Sequence, residues 1–394
     1  MEGDFIKINK ALLPLSWFYK LGVGFRNLLF DMGILKSRSF DVPVIAVGNI
    51  TVGGTGKTPH VEYLIRLLKN QAKVAVLSRG YKRKSHGFVL AGKEATVKSI
   101  GDEPYQMKTK FPDITVAVDK KRTHGIDKLT SGEYVKDIDV ILLDDAFQHR
   151  YVKPGINILL VDYHRLIIYD TLLPAGRLRE PVKSKDRADI VIVTKCPKDM
   201  KPMEFRVITK AMKIYPYQQL FFSTHEFEAL RPVFTTTKKK QGSRDLDSLA
   251  DQHVLLITGI ASPEHMLTDL QTYAKEVTPL AFGDHHAFRK RDVDRINETF
   301  SALPSPKLIV TTEKDETRLL QTEGLSGEVR KNLYVLPIKI QILLDQEDTF
   351  NLTILRYVRI YSRNSILAEK PNDHKSKDSD RPGDRPRTIS FRNN

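Results

Sequence analysis

Lys57 and Thr58 close a stretch, VGNITVGGTGKTP (47–59), whose residue types and spacing suit phosphate chemistry. Gly53, Gly54 and Gly56 can turn tightly and bring backbone N–H groups against phosphate oxygens. Lys57 adds a cation with the reach to meet β- and γ-phosphates, and Thr58 Oγ adds a ligand for Mg²⁺. Such a loop works only between a strand that fixes its start and a helix whose positive N-terminal end faces the anion. Both flanks are present. Residues 42–47 are an apolar run that reads as a buried parallel strand, and in HVEYLIRLL the residues Val61, Leu64, Ile65 and Leu68 recur at helical spacing. One position departs from the strict P-loop pattern: Thr51 stands where a glycine is expected, five residues before Gly56.

A second motif, ILLDDAFQHR (141–150), is an apolar strand ending in Asp144 and Asp145. Mg²⁺ prefers carboxylate oxygens and water, so an acidic strand end is the partner a P-loop needs. By itself it also reads as a pair of solvated turn residues. In GDEPYQM (101–107), Asp102 before Glu103-Pro104 looks like a helix N-cap, or else a carboxylate facing the nucleotide. FGDHHAF (282–288) sets Asp284, His285 and His286 in a row, a pattern for acid/base or metal work that is equally a polar loop. SRGYKRK (78–84) follows a strand end and groups Arg79, Lys82, Arg83 and Lys84 as an anion patch or a solvated basic loop. LLPAGRLREP (172–181) carries Arg177, Arg179 and Glu180 on a Gly/Pro-marked loop with no role that residue types alone assign. VTKC (193–196) resembles a guanine-reading Thr-Lys-x-Asp, but Pro197 occupies the Asp position, so guanine specificity has no support.

The elements that must position these residues follow from the patterning. Short apolar strands at 42–47, 73–78, 114–118, 139–143, 157–161 and 190–194 alternate with helical or loop segments, which predicts an α/β fold: a mostly parallel P-loop NTPase-type sheet with helices on both faces. A polar break at 235–250 precedes strand-to-helix units at 253–266 and 307–315, read as a smaller second α/β lobe. The predicted division is an N-terminal helix (1–36), the P-loop core (37–234), the small lobe (252–325), a return segment (326–362) and a polar tail (363–394) too poor in apolar residues to order itself. Residues 11–35 are strongly apolar but interrupted by Lys20, Arg26, Asn27 and Asp31, a poor membrane span. No small-residue cleavage site follows, so a secretory signal is not expected. Drawn as a helix, Ser16, Lys20, Asn27 and Asp31 share a stripe, while Leu15, Phe18, Leu21, Phe25, Leu28, Leu29 and Met32 cover the rest. That describes a helix lying in a membrane interface, or one packed on the next domain.

Composition narrows the function classes. The single Cys196 excludes a disulfide framework and a structural zinc site built on cysteines. A formal net charge of +15 over 394 residues favours an anionic partner. No helix-turn-helix, RNA-recognition or zinc-finger pattern makes that partner a nucleic acid.

Taken in order, GNITVGGTGKTP, LSRGY, GDEP, DDAFQHR, LLPAGRLREP, the Asp-His of FGDHH and TEKD (312–315) resemble the tetraacyldisaccharide 4'-kinases, inner-membrane lipid kinases of lipid A biosynthesis in Gram-negative bacteria. The resemblance runs from the N-terminal helix to about residue 340 and includes a P-loop that tolerates a non-Gly at the position of Thr51. It implies transfer of the ATP γ-phosphoryl to the 4'-hydroxyl of an acylated glucosamine disaccharide 1-phosphate, giving lipid IVA, on the cytoplasmic face of the inner membrane. Carried over by position, it implies that Thr51, Val52, Gly53, Gly54, Thr55, Gly56, Lys57 and Thr58 bind ATP. Lys57 meets the phosphates, and Thr58, Asp144 and Asp145 hold Mg²⁺. Asp102 takes the hydroxyl proton, tuned by His285 with Asp284. Two other readings are open to the same residues: a P-loop switch NTPase that needs no acceptor base, and a non-catalytic membrane-associated binder that would not need a complete Lys-Thr and acidic partner.

Overall fold

A computed structural model describes residues 6, 8–234, 242–260, 263–283 and 286–361. The predicted tail at 363–394 and residues 235–241 of the polar break lie outside these. Fourteen strands are described: β1 (Val44–Gly48), β2 (Val74–Ser78), β3 (Val89–Leu90), β4 (Thr115–Val118), β5 (Val140–Asp144), β6 (Ile156–Asp162), β7 (Ile190–Thr194), β8 (Gln219–Phe227), β9 (Arg231–Pro232), β10 (His253–Thr258), β11 (Glu276–Ala281), β12 (Lys307–Thr312), β13 (Leu333–Leu336) and β14 (Ile338–Ile342).

Nine of them form one sheet in the order β14-β8-β7-β6-β1-β5-β2-β4-β3. Strands β8 through β4 in that order run parallel, and only the two edge strands are antiparallel. Its inner strands are apolar on both faces, as a sheet covered on both sides requires. Ile45, Val47, Val76, Leu142 and Ile158 face Leu64, Ile65, Leu68, Met107 and Ile354 from helices on one side. On the other side Ala46, Leu77 and Leu143 meet Ile126 and Leu129, and Leu159, Val161 and Val193 meet Ile208 and Met212. Each such fully buried aliphatic side chain contributes roughly 1.5–3 kcal/mol, so the sheet centre is a stiff platform.

The smaller sheet has the order β11-β10-β12-β13-β9. It takes in β9 and β13, which lie outside 252–325. The run LYVLPIKI, continuous in hydropathy, is divided between the sheets at Pro337: β13 pairs with β12 in the small sheet and β14 with β8 in the large one. Proline has no N–H for a ladder, so the break falls where a strand must change partners.

The N-terminal α-helix runs Leu13–Asp31. It lies polar side inward. Ser16 is buried and donates to Leu172 O (2.9 Å), Tyr19 Oη donates to Arg179 O (3.0 Å), and Arg150 reaches Asn27 O (3.0 Å) and Asp31 (2.6 Å). Trp17, Phe18, Leu21, Phe25 and Leu28 point to solvent, each more than half exposed. No helix among the described residues is long and apolar enough to cross a membrane.

Candidate active site

The register of the large sheet aligns the two phosphate-side motifs. Val47 of β1 pairs with Asp144 of β5, so the loop after β1 and the carboxylates after β5 leave the sheet at the same level. Gly48 is required there, since a Cβ would meet the backbone N of Phe147 at 2.7 Å. The loop then folds back to Gly56, which caps the helix Lys57–Leu68 at φ +79°, a left-handed conformation that favours glycine. That helix forms because Val61, Leu64, Ile65 and Leu68 repeat on one face and bury against the sheet. His60 fastens its first turn, with Nδ1 at 2.7 Å from Gly56 O and Nε2 at 3.0 Å from Ser223 Oγ. Burial pushes the His60 imidazole down to about 4, so it sits there neutral.

Side chains from distant segments hold the loop from both sides. Asn49 Nδ2 donates to Thr55 Oγ1 at 2.8 Å, and Thr194 Oγ1 donates to Thr55 O at 3.1 Å. The strand-like bridge Thr51–Leu178 is flanked by Val52 N to Arg177 O (2.8 Å) and Arg179 N to Ile50 O (2.7 Å). Thr51 is thus buried in backbone pairing, which needs no glycine, whereas Val52 is exposed. Gly53 adopts φ +114° and leaves open space above it, as does Gly54.

Lys57 Nζ lies 3.5 Å from Asp145 Oδ1, and Arg179 Nη2 lies 3.4 Å from the same oxygen while also bonding Asn49 Oδ1. Burial pushes Asp145 up, but Lys57, then Arg179 and Arg122, outweigh it and hold the carboxyl below its usual range. Asp145 also has φ +47°, a conformation costly for a non-glycine. Asp144 goes the other way: burial first, then the charges of Glu103 and Asp145, push it up to about 7. Its Oδ2 accepts from Ser78 Oγ at 2.9 Å. Asp144 and Asp145 offer carboxylate oxygens side by side, and all-oxygen donors suit Mg²⁺. Among the described residues no three acidic, histidine or cysteine side chains form a closed metal cage. Mg²⁺ at phosphoryl-transfer sites takes much of its shell from water and phosphate oxygens.

Asp102 opens the helix Asp102–Lys110 but does not cap it. Gly101, at φ +94°, is the N-cap, with no side-chain cap bond, so the N-cap reading of Asp102 is corrected. Its carboxylate instead forms a forked pair with Arg318 of the small lobe, through Nη2 to Oδ2 and Nε to Oδ1 (3.3 Å). Asp284 and His285 lie outside the described residues. Their neighbour His286 stacks on Phe282 and pairs through Nε2 with Asp292 at 2.9 Å. Of the basic loop after β2, Arg83 is tied to Val118 O and Gly87 O, while Arg79, Lys82 and Lys84 are exposed.

Between the lobes lies a cleft of about 1200 Å³ of open space. Gly54, Gly56, Lys57 and Thr58 line one wall, Glu103 and Lys195 the flanks, and Ile260, Met266, Thr312 and Lys314 of the small lobe the other wall. Sequence reading passed over Asn49, Glu103, Thr194, Lys195 and Arg318. The Thr-Lys of VTKC was the one local signal among them: set aside for guanine binding, it tethers the loop through Thr194 and lines the cleft through Lys195.

A phosphate cradle at the carboxyl edge of a mostly parallel sheet, faced by carboxylates and closed by a second lobe, defines a P-loop phosphotransferase that uses ATP. The family profile of LpxK, tetraacyldisaccharide-1-P 4'-kinase, matches residues 8–359. The chain is 58% identical over 366 residues to a tetraacyldisaccharide 4'-kinase of Phocaeicola vulgatus, covering 93% of this chain and 99% of that one. It is 55% identical to that of Bacteroides thetaiotaomicron, over 95% and 100% of the two chains. The crystal structure of LpxK from Aquifex aeolicus in complex with ATP superposes with a TM-score of 0.67 at 30% identity, over 89% of this chain and 99% of that one. The chain belongs to the tetraacyldisaccharide 4'-kinase family.

Proposed function

We propose that the protein transfers the γ-phosphoryl of ATP to the 4'-hydroxyl of a tetraacylated glucosamine disaccharide 1-phosphate, the step of lipid A biosynthesis that yields lipid IVA. Family membership over nearly the whole chain supports the reaction. The observation that carries the site assignment is the facing, across one cleft, of the Gly56–Thr58 helix start and Glu103, which follows Asp102 in the first turn of its helix.

In this reading the N–H groups of residues 51–58 cradle the triphosphate and Lys57 neutralises charge that builds on the phosphoryl oxygens. Thr58, Asp144 and Asp145 hold Mg²⁺, which supplies further charge neutralisation when bound. Arg179 keeps Asp145 ionised and Asn49 aligned beneath the loop. The 4'-oxygen forms the new P–O bond as the bond to the β-bridging oxygen breaks and ADP departs. The hydroxyl proton passes to the Asp102 carboxylate, with His285 and Asp284 assigned to tune it. A positioned base of this kind contributes ~10²–10⁴-fold.

The acceptor is an anionic lipid, and the protein matches it in two places. Exposed Arg79 lies near the buried Arg122 beside the carboxylates, and a cation there suits a sugar phosphate; burial, then Arg122, pushes neighbouring His149 down to about 4, so it adds no charge. The inverted helix Leu13–Asp31, apolar side out, suits a membrane interface, and we assign the protein to the inner membrane's cytoplasmic surface, where ATP is, as a peripheral enzyme.

Incubation with γ-³²P-ATP, Mg²⁺ and tetraacyldisaccharide 1-phosphate in detergent micelles tests the reading. A labelled bisphosphorylated lipid is expected. Free labelled phosphate without labelled lipid would contradict it and identify a hydrolase.

A further inference from the structure

We infer that Arg318 is a positioning residue for Asp102, holding the carboxylate plane from the opposite lobe so that it can take the acceptor's proton. The inference rests on the reading of Asp102 as the base.

Arg318 and Asp102 are 216 residues apart in sequence and belong to different sheets' helices. Both side chains are about nine-tenths buried in the pair, with 9% and 11% left exposed. A buried ion pair is costly to desolvate and is weak evidence for stability alone, so its retention asks for another reason. Its geometry supplies one. The guanidinium engages both carboxylate oxygens as a planar fork, using one lone-pair site on each.

The fork itself is fixed from behind. Arg318 Nη1 lies 3.3 Å from Asp315 Oδ1, and Asp315 is fully buried. Asp315 Oδ2 accepts from Gly259 N at 2.8 Å and from Thr312 Oγ1 at 2.7 Å. Gly259 has no room for a side chain, since a Cβ would stand 2.8 Å from Asp315 Oδ1. The other end of the same small-lobe helix (Glu313–Leu319) meets the far end of the Asp102 helix: Glu313 pairs with Lys110 at 2.5 Å, and Lys110 also pairs with Glu62 at 2.6 Å. Two-point contact sets the direction of the Asp102 helix, and Arg318 sets the rotation of the carboxylate. The TEKD segment therefore acts on the reaction through its C-terminal neighbour Arg318, by orienting a base that sits on the other lobe.

The test compares full-length Arg318→Ala, Arg318→Lys, Asp102→Asn and the Arg318→Ala/Asp102→Asn double variant for kcat, both KM values and ATP binding. Arg318→Ala is expected to lose ~10–100-fold in kcat with each KM within ~3-fold, the signature of a lost transition-state arrangement. Arg318→Lys keeps the charge without the fork and is expected to recover only part of the rate. The double variant is expected to be no slower than Asp102→Asn, because the two residues act as one unit. Wild-type kcat in Arg318→Ala, or a multiplicative loss in the double variant, overturns the inference. If Arg318→Ala does not fold, Arg318→Lys decides: full kcat overturns, reduced kcat with unchanged KM supports. Full turnover in Asp102→Asn would instead remove the base assignment, an outcome distinct from any failure at Arg318.

Discussion

The phosphate cradle and the carboxylate opposite it are built in different ways. The cradle is local: one strand, one loop and one helix, contiguous from Val44 to Leu68, with neighbouring strands adding Thr194 and Asp144 at matched register. The Asp102 side is composite. Its backbone belongs to the large-sheet lobe, while its carboxylate is gripped by Arg318 from the small one. In the proposed reading, a cradle built within one sheet depends less on how the lobes are seated. A base held by both lobes is in position only when they are. Nucleotide binding and phosphoryl transfer should therefore separate under mutation.

The largest effect should come from the cradle. Lys57→Ala is expected to lose transfer by ~10³-fold or more, because in the proposed reading it removes the cation assigned to the phosphoryl oxygens. It should weaken binding of MgATP as well, which fluorescent-nucleotide titration would reveal. Next, Asp102→Asn should lose at least ~10²-fold in kcat while ATP binds as in the wild type. A loss of ATP affinity there would break the contrast between the two regions.

A smaller effect lies outside the cleft. Substituting Trp17, Phe18 and Phe25 together by Ser should lower partition onto anionic vesicles at least ~10-fold and leave the melting temperature nearly unchanged, since all three rings already face solvent. Unchanged vesicle binding would remove the interfacial role of the helix Leu13–Asp31.

The smallest concerns pH. Asp144 is pushed up to about 7 in the folded protein, above its ordinary 3.8, so its contribution to stability is fully present below about 4 and is lost as pH rises through 7. Without Mg²⁺ the melting temperature should therefore fall as pH rises from about 4 to about 7 and level off above that, and Asp144→Asn should flatten that fall. MgATP should restore stability at the alkaline end if the carboxylate is a metal ligand, which calorimetry across the two pH values would measure.

The same contrast explains what the sequence made legible. The cradle could be read because its chemistry is contiguous: Gly53, Gly54, Gly56, Lys57 and Thr58 announce their geometry within six residues. The acidic end of β5 could be read because an apolar run stopped at it. Arg318 could not, since nothing in the spacing of TEKD and Arg318 reveals a partner 216 positions earlier. Arg179 was visible as a charged residue on a marked loop, yet its function depends on a bridge to Thr51 that only folding creates. The helix at Leu13–Asp31 was legible as amphipathic, but which stripe faces the protein follows from Leu172 and Arg150 offering polar partners to it. The apolar run 333–340 was legible only as part of a return segment; that its halves join different sheets is a tertiary fact.

The most direct measurement of the central claim is single-turnover transfer from γ-³²P-ATP to tetraacyldisaccharide 1-phosphate by Asp102→Asn, with ATP affinity determined on the same sample. The account predicts nucleotide affinity within ~3-fold of wild type and a transfer rate reduced at least ~10²-fold. Transfer at the wild-type rate would contradict it, leaving Asp102 as no more than the partner of Arg318 in a contact between lobes.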